Sequence, residues 1–138
     1  MATIGYARKS KGKERINTRC KLLNEMVHRL RTRCLCTEVY VSPYCDANQP
    51  LESRDNNENY ARHMGLIRSC DGDMSNLLLL LKTKFKPIRL VVIDFAGLST
   101  ESNYIRAFIR YSGHMMRPSV DKINLFDEKI HCTHKSNK

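Results

Sequence analysis

A single α/β domain of three layers, with helices on both faces of a mostly parallel sheet of four or five strands, is the fold this chain predicts. Its 138 residues suit one domain. The segment Ile88 to Phe95 (IRLVVIDF) is a nearly continuous apolar run rich in β-branched residues, the pattern of a central strand covered on both faces. Strand-like and helical patterns alternate along the chain, and parallel neighbours require crossover helices between them. The domain is placed at residues 1–126 and a C-terminal tail, expected to fray, at 127–138.

The first strand is Thr3 to Ala7 (TIGYA), and Lys11-Gly12 breaks the chain before a long helix. In that helix Ile16, Cys20, Leu23, Val27 and Leu30 recur at three- and four-residue steps, which makes one apolar stripe. Arg15, Arg19, Arg29 and Arg33 are expected on the solvent side. Glu38 to Val41 (EVYV) is a second strand, closed by Ser42-Pro43. The polar stretch Cys45 to Asn57 has no periodicity and reads as a long loop, the kind that often carries function. Tyr60 to Ile67 reads as a helix, and Met74 to Lys82 as a buried helix opened by an Asp cap and stopped before Pro87. After the central strand a helix is expected from Ser99, with Tyr104, Ile105, Phe108 and Ile109 on its apolar side and Gly113 at its end. Val120 to Phe126 follows as the last strand.

Composition narrows the function classes. The longest apolar run, Leu77 to Leu81, is far short of the roughly 20 residues that span a bilayer, and residues 1–10 lack the apolar core of a signal peptide. No membrane is expected, and the place is intracellular, nucleus or cytoplasm. Cys20, Cys34, Cys36, Cys45, Cys70 and Cys132 are accordingly read as reduced thiols. The formal net charge is +10, and ten basic residues against two acidic ones fall between Met1 and Arg33. A positive field concentrated in one quarter of a chain favours a polyanion, DNA first and RNA as the alternative. A well-solvated basic helix is the plain alternative.

In open α/β sheets ligands sit outside the carboxyl ends of the strands, so Arg8, Lys9 and Ser10 should face a crevice shared with the residues after Val41 and Phe95. A serine flanked by Arg8, Lys9, Lys11 and Lys13 and facing a helix start has a hydroxyl nucleophile, cations and backbone donors, which phosphoryl chemistry needs. A simple phosphate-binding loop has the same parts. Arg15 and Arg19 extend this basic surface along the helix.

Gly5-Tyr6-Ala7-Arg8-Lys9-Ser10 (GYARKS), on the first strand, closely resembles the opening motif of the serine recombinases, the resolvase and invertase family. The helix after it, the short second strand, the polar loop holding Arg54 and the strand leading into Gly97-Leu98-Ser99-Thr100 extend the resemblance over most of the chain. It implies a resolvase-like catalytic domain in which Ser10 attacks a DNA phosphodiester to form a phosphoserine link, with Arg8 and Arg54 bracing the phosphate and Tyr6 packed beside them. The family uses no metal or nucleotide cofactor, so none is expected.

The departures point toward a degenerate member. Where the family carries Asp-Arg-Leu-Ser-Arg, this chain has Ala96-Gly97-Leu98-Ser99-Thr100, which keeps the Leu-Ser frame and loses a carboxylate and two guanidiniums. An arginine at a developing phosphoryl charge is worth on the order of 10³ or more in rate, so cleavage should be crippled unless Lys9, Lys11 or Lys13 substitutes. The chain also ends soon after its last strand, without the family's dimerisation helix and helix-turn-helix module, so base-specific binding is not expected.

The remaining side chains have plain readings. Asp94 is read as hydrogen-bonded to the next helix start rather than catalytic. Cys34, Cys36, Cys45, His131, Cys132 and His134 lack a Cys-x₂-Cys pair, so no metal site is expected. Tyr40, Tyr44 and Tyr60 flank the polar loop as base-stacking candidates or as cover for the sheet edge, and Met115-Met116 as core filler. Three functions stay open: a domain that has lost catalysis and binds nucleic acid or a nucleoprotein assembly, alone or as a homodimer, an active minimal recombinase, and a protein-interaction module whose apolar face pairs with a second copy or a partner.

Overall fold

Apolar side chains of the first three strands alternate in direction, and both faces they define are buried. The computed structural model describes residues 2–83, 88–93, 98–109 and 120–125. In chain order the elements are β1 (Ala2–Arg8), α1 (Ile16–Thr32), β2 (Glu38–Ser42), a 3₁₀ turn (Leu51–Ser53), α2 (Tyr60–Leu66), α3 (Met74–Thr83), β3 (Ile88–Val92), α4 (Ser102–Ile109) and β4 (Val120–Leu125). The strands pair in the order β2-β1-β3-β4, every pair parallel, so the predicted α/β class and parallel sheet hold.

On one face Ile4, Tyr6, Tyr40, Ile88, Leu90 and Val92 pack against Met74, Leu77, Leu78 and Leu81 of α3. On the other, Ala7, Val39, Val41 and Val91 pack against Cys20, Leu23, Val27 and Leu30 of α1. The predicted stripe of α1 is the buried one, with Ile16 only partly covered at its end. α1 lies close to the sheet at Gly5, where an added Cβ would meet Leu30 Cδ1 at 3.0 Å and Cys36 Sγ at 3.1 Å, so a side chain here would require these neighbours to shift.

Several predicted element ends shift, β3 among them, which ends at Val92 rather than Phe95, and two departures have a clear local reason. The helix expected from Ser99 begins at Ser102, because Ser99 Oγ accepts from Glu101 N at 3.0 Å and donates to Ala47 O at 3.0 Å, which holds residues 98–101 in a turn. The long polar loop contains the 3₁₀ turn, since Leu51 is its one strongly apolar residue and is buried in the core. The Asp cap of α3 is Asp73: its Oδ1 accepts from Asn76 N at 3.0 Å while Asn76 Oδ1 accepts from Asp73 N at 3.0 Å, a reciprocal capping pair.

The outer edge of β2 is covered. Val41 N donates to Gly72 O at 2.9 Å, Asp71 N to Val39 O at 2.7 Å and Val39 N to Asp71 Oδ2 at 2.9 Å. Gly72 has φ 149°, a backbone region open to glycine. Among the described residues no helix is long and apolar enough to cross a membrane. The expectations for Asp94, Gly113, Met115-Met116, His131, Cys132, His134 and the tail at 127–138 lie outside the described residues.

Candidate functional site

The chain runs from β1 to β2 on one side and returns to β3 on the other, so the direction of winding reverses at β1 and the crevice opens outside its carboxyl end. The loop after β1 and the turn after β2 are knitted together there. Lys9 N donates to Ser42 O at 3.1 Å and Cys45 N to Lys9 O at 3.2 Å. Arg8 Nη1 donates to Ser10 Oγ at 2.8 Å and to Cys45 O at 2.9 Å. Ser10, Lys11, Lys13 and Arg15 are exposed, while Lys9 is half-buried and pairs with Glu14 at 3.3 Å. Lys11 Nζ lies 5.8 Å from the Tyr44 ring centre.

Beneath this rim is a buried polar chain. Arg54 Nη1 donates to the Tyr6 hydroxyl at 3.1 Å, Tyr6 donates to Ser42 Oγ at 2.6 Å, and Ser42 donates to Asp55 Oδ2 at 3.1 Å. Asp55 Oδ2 also accepts from Met74 N at 2.8 Å, whereas its buried Oδ1 meets no partner among the described residues. Burial therefore dominates and pushes the Asp55 carboxyl up to about 6, with nearby Asp73 adding to the rise. Burial likewise raises the Tyr6 hydroxyl and the Cys45 thiol above their ordinary values. Cys45 is fully buried beside Arg8 and Arg54, so it stays a protonated thiol rather than a nucleophile.

The sequence-predicted residues thus form two pairs, Arg8 with Ser10 at the surface and Tyr6 with Arg54 below it. Arg54 is only 1% exposed and all three of its nitrogens point inward: Nε donates to Gln49 O at 3.1 Å and Nη2 to Ala47 O at 3.2 Å, besides Nη1 on Tyr6. In this conformation Arg54 braces the loop rather than the crevice. Ala47 O also accepts from Thr100 N at 3.1 Å and from Ser99 Oγ, which ties the residues after β3 to the same loop.

Arg19 is a correction. Expected on the solvent face of the first helix, it is 1% exposed. Nη1 donates to Ser10 O at 2.6 Å and Pro43 O at 3.1 Å, and Nη2 to Gly12 O at 3.3 Å and to Glu14 Oε1. Its guanidinium also lies 4.9 Å from the Tyr44 ring centre, with His63 stacked on that ring at 6.1 Å. The loop folds over the start of α1, and its turned-in carbonyls draw the nearest guanidinium under them. Arg19 therefore shapes the Ser10 loop from below and offers no surface to a ligand.

Ser42, Asp55 and Glu14 were not singled out from the sequence. Ser42 closes a strand and Asp55 follows Arg54, but no local pattern joins them. Tyr40 is buried and donates to Glu38, and Tyr60 donates to Asp73, so neither hydroxyl faces outward as a free stacking platform. Cys20, Cys45 and Cys70 are free thiols, and among the described residues no three His, Cys, Asp or Glu side chains converge to hold a metal. Comparison of the chain with protein-family models, with curated proteins and with solved structures finds no match.

Proposed function

We propose that this chain is a nucleic-acid- or nucleoprotein-binding domain of the serine recombinase type, resolvase-like in fold, that has lost strand cleavage. DNA is the favoured partner. The observation that carries the reading is the exposed Ser10 hydroxyl held by Arg8 Nη1 at 2.8 Å on a rim that also exposes Lys11, Lys13 and Arg15. Cations and a hydroxyl at the carboxyl end of a parallel strand suit a phosphate of a polyanion. Loss of cleavage is supported by Arg54, which is spent on Tyr6, Gln49 and Ala47, and by Ala96, Gly97 and Thr100, which replace the family's carboxylate and two arginines.

The Arg8–Ser10 contact also favours a second reading, an enzyme that cleaves DNA through Ser10. The two separate in one pair of assays. In the binding domain Ser10→Ala leaves affinity for DNA nearly unchanged and supercoiled DNA yields no covalent adduct. Arg8→Ala should weaken binding by about 1 to 3 kcal/mol through the lost charge-assisted contact. A reproducible adduct that Ser10→Ala abolishes would establish the enzyme. Affinity should fall steeply with salt and show little base preference, and a flat salt response would overturn nucleic-acid binding altogether.

A further inference from the structure

Beyond the rim, one face of α1 carries no apolar residue of the core. Asn17, Lys21, Asn24, His28 and Arg31 follow one another at steps of four, three, four and three, which sets them in a single stripe along the helix. That stripe is one wall of an open groove of about 940 Å³ that runs into a second concavity of about 220 Å³, and Arg68, from the segment after α2, stands on the opposite wall.

The walls are tied together at two points. Asn24 Nδ2 donates to Leu66 O at 3.0 Å and Asn24 Oδ1 accepts from Arg68 N at 2.7 Å. Arg31 Nε donates to Ser69 O at 2.9 Å, and its Nη2 pairs with Asp71 at 2.8 Å. Lys21 before the first tie, His28 between the two and Arg68 on the strap are exposed. Lys21, Arg29 and Arg68 line the larger concavity with Glu25, while Arg31 of the smaller one is paired with Asp71, so basic side chains are in excess.

We propose that this groove seats one sugar–phosphate strand of a nucleic acid, continuing from the Ser10 rim down the face of α1. The inference rests on the nucleic-acid reading above and adds the path of the strand. Lys13 and Arg15 lie four and two positions before Asn17, so the cationic rim adjoins the start of the stripe. From Asn17 to Arg31 the helix rises about 21 Å, which matches about six phosphates at the 3.4 Å spacing of a stacked strand. Because the helix and the strap touch at Asn24 and Arg31, the strand would lie over the open mouth of the groove, against Lys21 and Arg68, rather than between the walls. Cys20 and Leu66 give the groove an apolar part, and Lys21 and Arg68, exposed beside it, supply the cations that a phosphate backbone needs.

The test measures fluorescence anisotropy of labelled single strands of DNA and RNA, of about 4, 8 and 16 nucleotides, with a DNA duplex and polyglutamate as competitors, at salt concentrations from about 50 to about 200 mM. Wild type should prefer the two longer strands to the shortest. Lys21→Glu with Arg68→Glu should lower affinity about tenfold and reduce the salt slope by about two, with an unchanged thermal melt. Lys82→Glu, on α3 at the opposite face of the sheet, should change affinity less than about twofold. Equal loss in Lys82→Glu and Lys21→Glu, no loss in the groove variant, or displacement by polyglutamate as effective as by unlabelled strand would each overturn the groove. Failure of wild type to bind any nucleic acid would instead overturn the reading on which it rests.

Discussion

Arg19 and Asp55 are both charged groups drawn out of water, and they differ in how well they are received. Arg19 finds three backbone carbonyls, Glu14 and the face of Tyr44, so its buried charge is matched by acceptors and an aromatic ring. Asp55 receives hydrogen bonds on one oxygen only, while the other is buried without a partner among the described residues. Its folded value of about 6 lies above the ordinary 3.8, so the folded chain binds this proton more tightly than the unfolded chain does. The cost of the buried anion is therefore present above about pH 6 and is relieved as pH falls toward 3.8. Asp55→Asn should be more stable than wild type near pH 7.5 by about 3 kcal/mol, on about 1.36 kcal/mol per pKa unit, and the difference should close as the pH is lowered through that window. Urea unfolding of both proteins from about pH 7.5 to about pH 4 checks this, and a pH-independent difference would refute it.

At the scale of elements, the ends of α1 and the edge of β2 show how neighbouring segments stop each other. α1 has no glycine beyond its last turn, and Leu35 supplies the left-handed residue at φ 56°, after which Cys36 N closes on Leu30 O at 3.1 Å. A branched side chain in that region is strained by roughly 1 to 2 kcal/mol, and Leu35 is 73% exposed, so its packing returns little. Leu35→Gly should raise stability by about 0.5 to 1 kcal/mol after the entropy of a freer unfolded chain is offset, whereas Leu35→Ala should not. Thermal melts of the two variants decide it. At β2 the segment holding Asp71 and Gly72 caps the sheet edge and then enters the Asp73–Asn76 capping pair, so one turn both closes the sheet and starts α3.

Across the whole molecule, β1 is one of the two interior strands of the sheet. Ile4, Gly5 and Tyr6 pair with β2 on one side and β3 on the other, and a helical layer covers each face. Local opening cannot free them, so their amides should exchange with solvent only through global unfolding. Val39 and Val41 on β2 donate instead to the covering segment and should exchange through smaller openings. Native-state hydrogen exchange with increasing urea would separate the two groups, and similar, shallow urea dependence in both would contradict the assignment. The same interior strand ends at the Ser10 rim, so the proposed binding surface is mounted on the most protected part of the fold.

The alternation of strand and helix patterns, the apolar stripe of α1, the central run at Ile88 and the Asp cap of α3 are all legible in the sequence. They depend on residues within a few positions of one another and on which face must leave water. The nearness of Arg8 to Ser10 is legible for the same reason, since two positions separate them. Tyr6 meets Ser42 across 36 positions and Arg54 across 48, and only the parallel pairing of β1 with β2 brings those residues together. The destinations of Arg19 and Arg54 were likewise decided by tertiary structure. Most of their partners are backbone carbonyls, which every residue carries, and a guanidinium on a flexible stem can turn toward water or toward whichever carbonyls the folded loops leave unpaired.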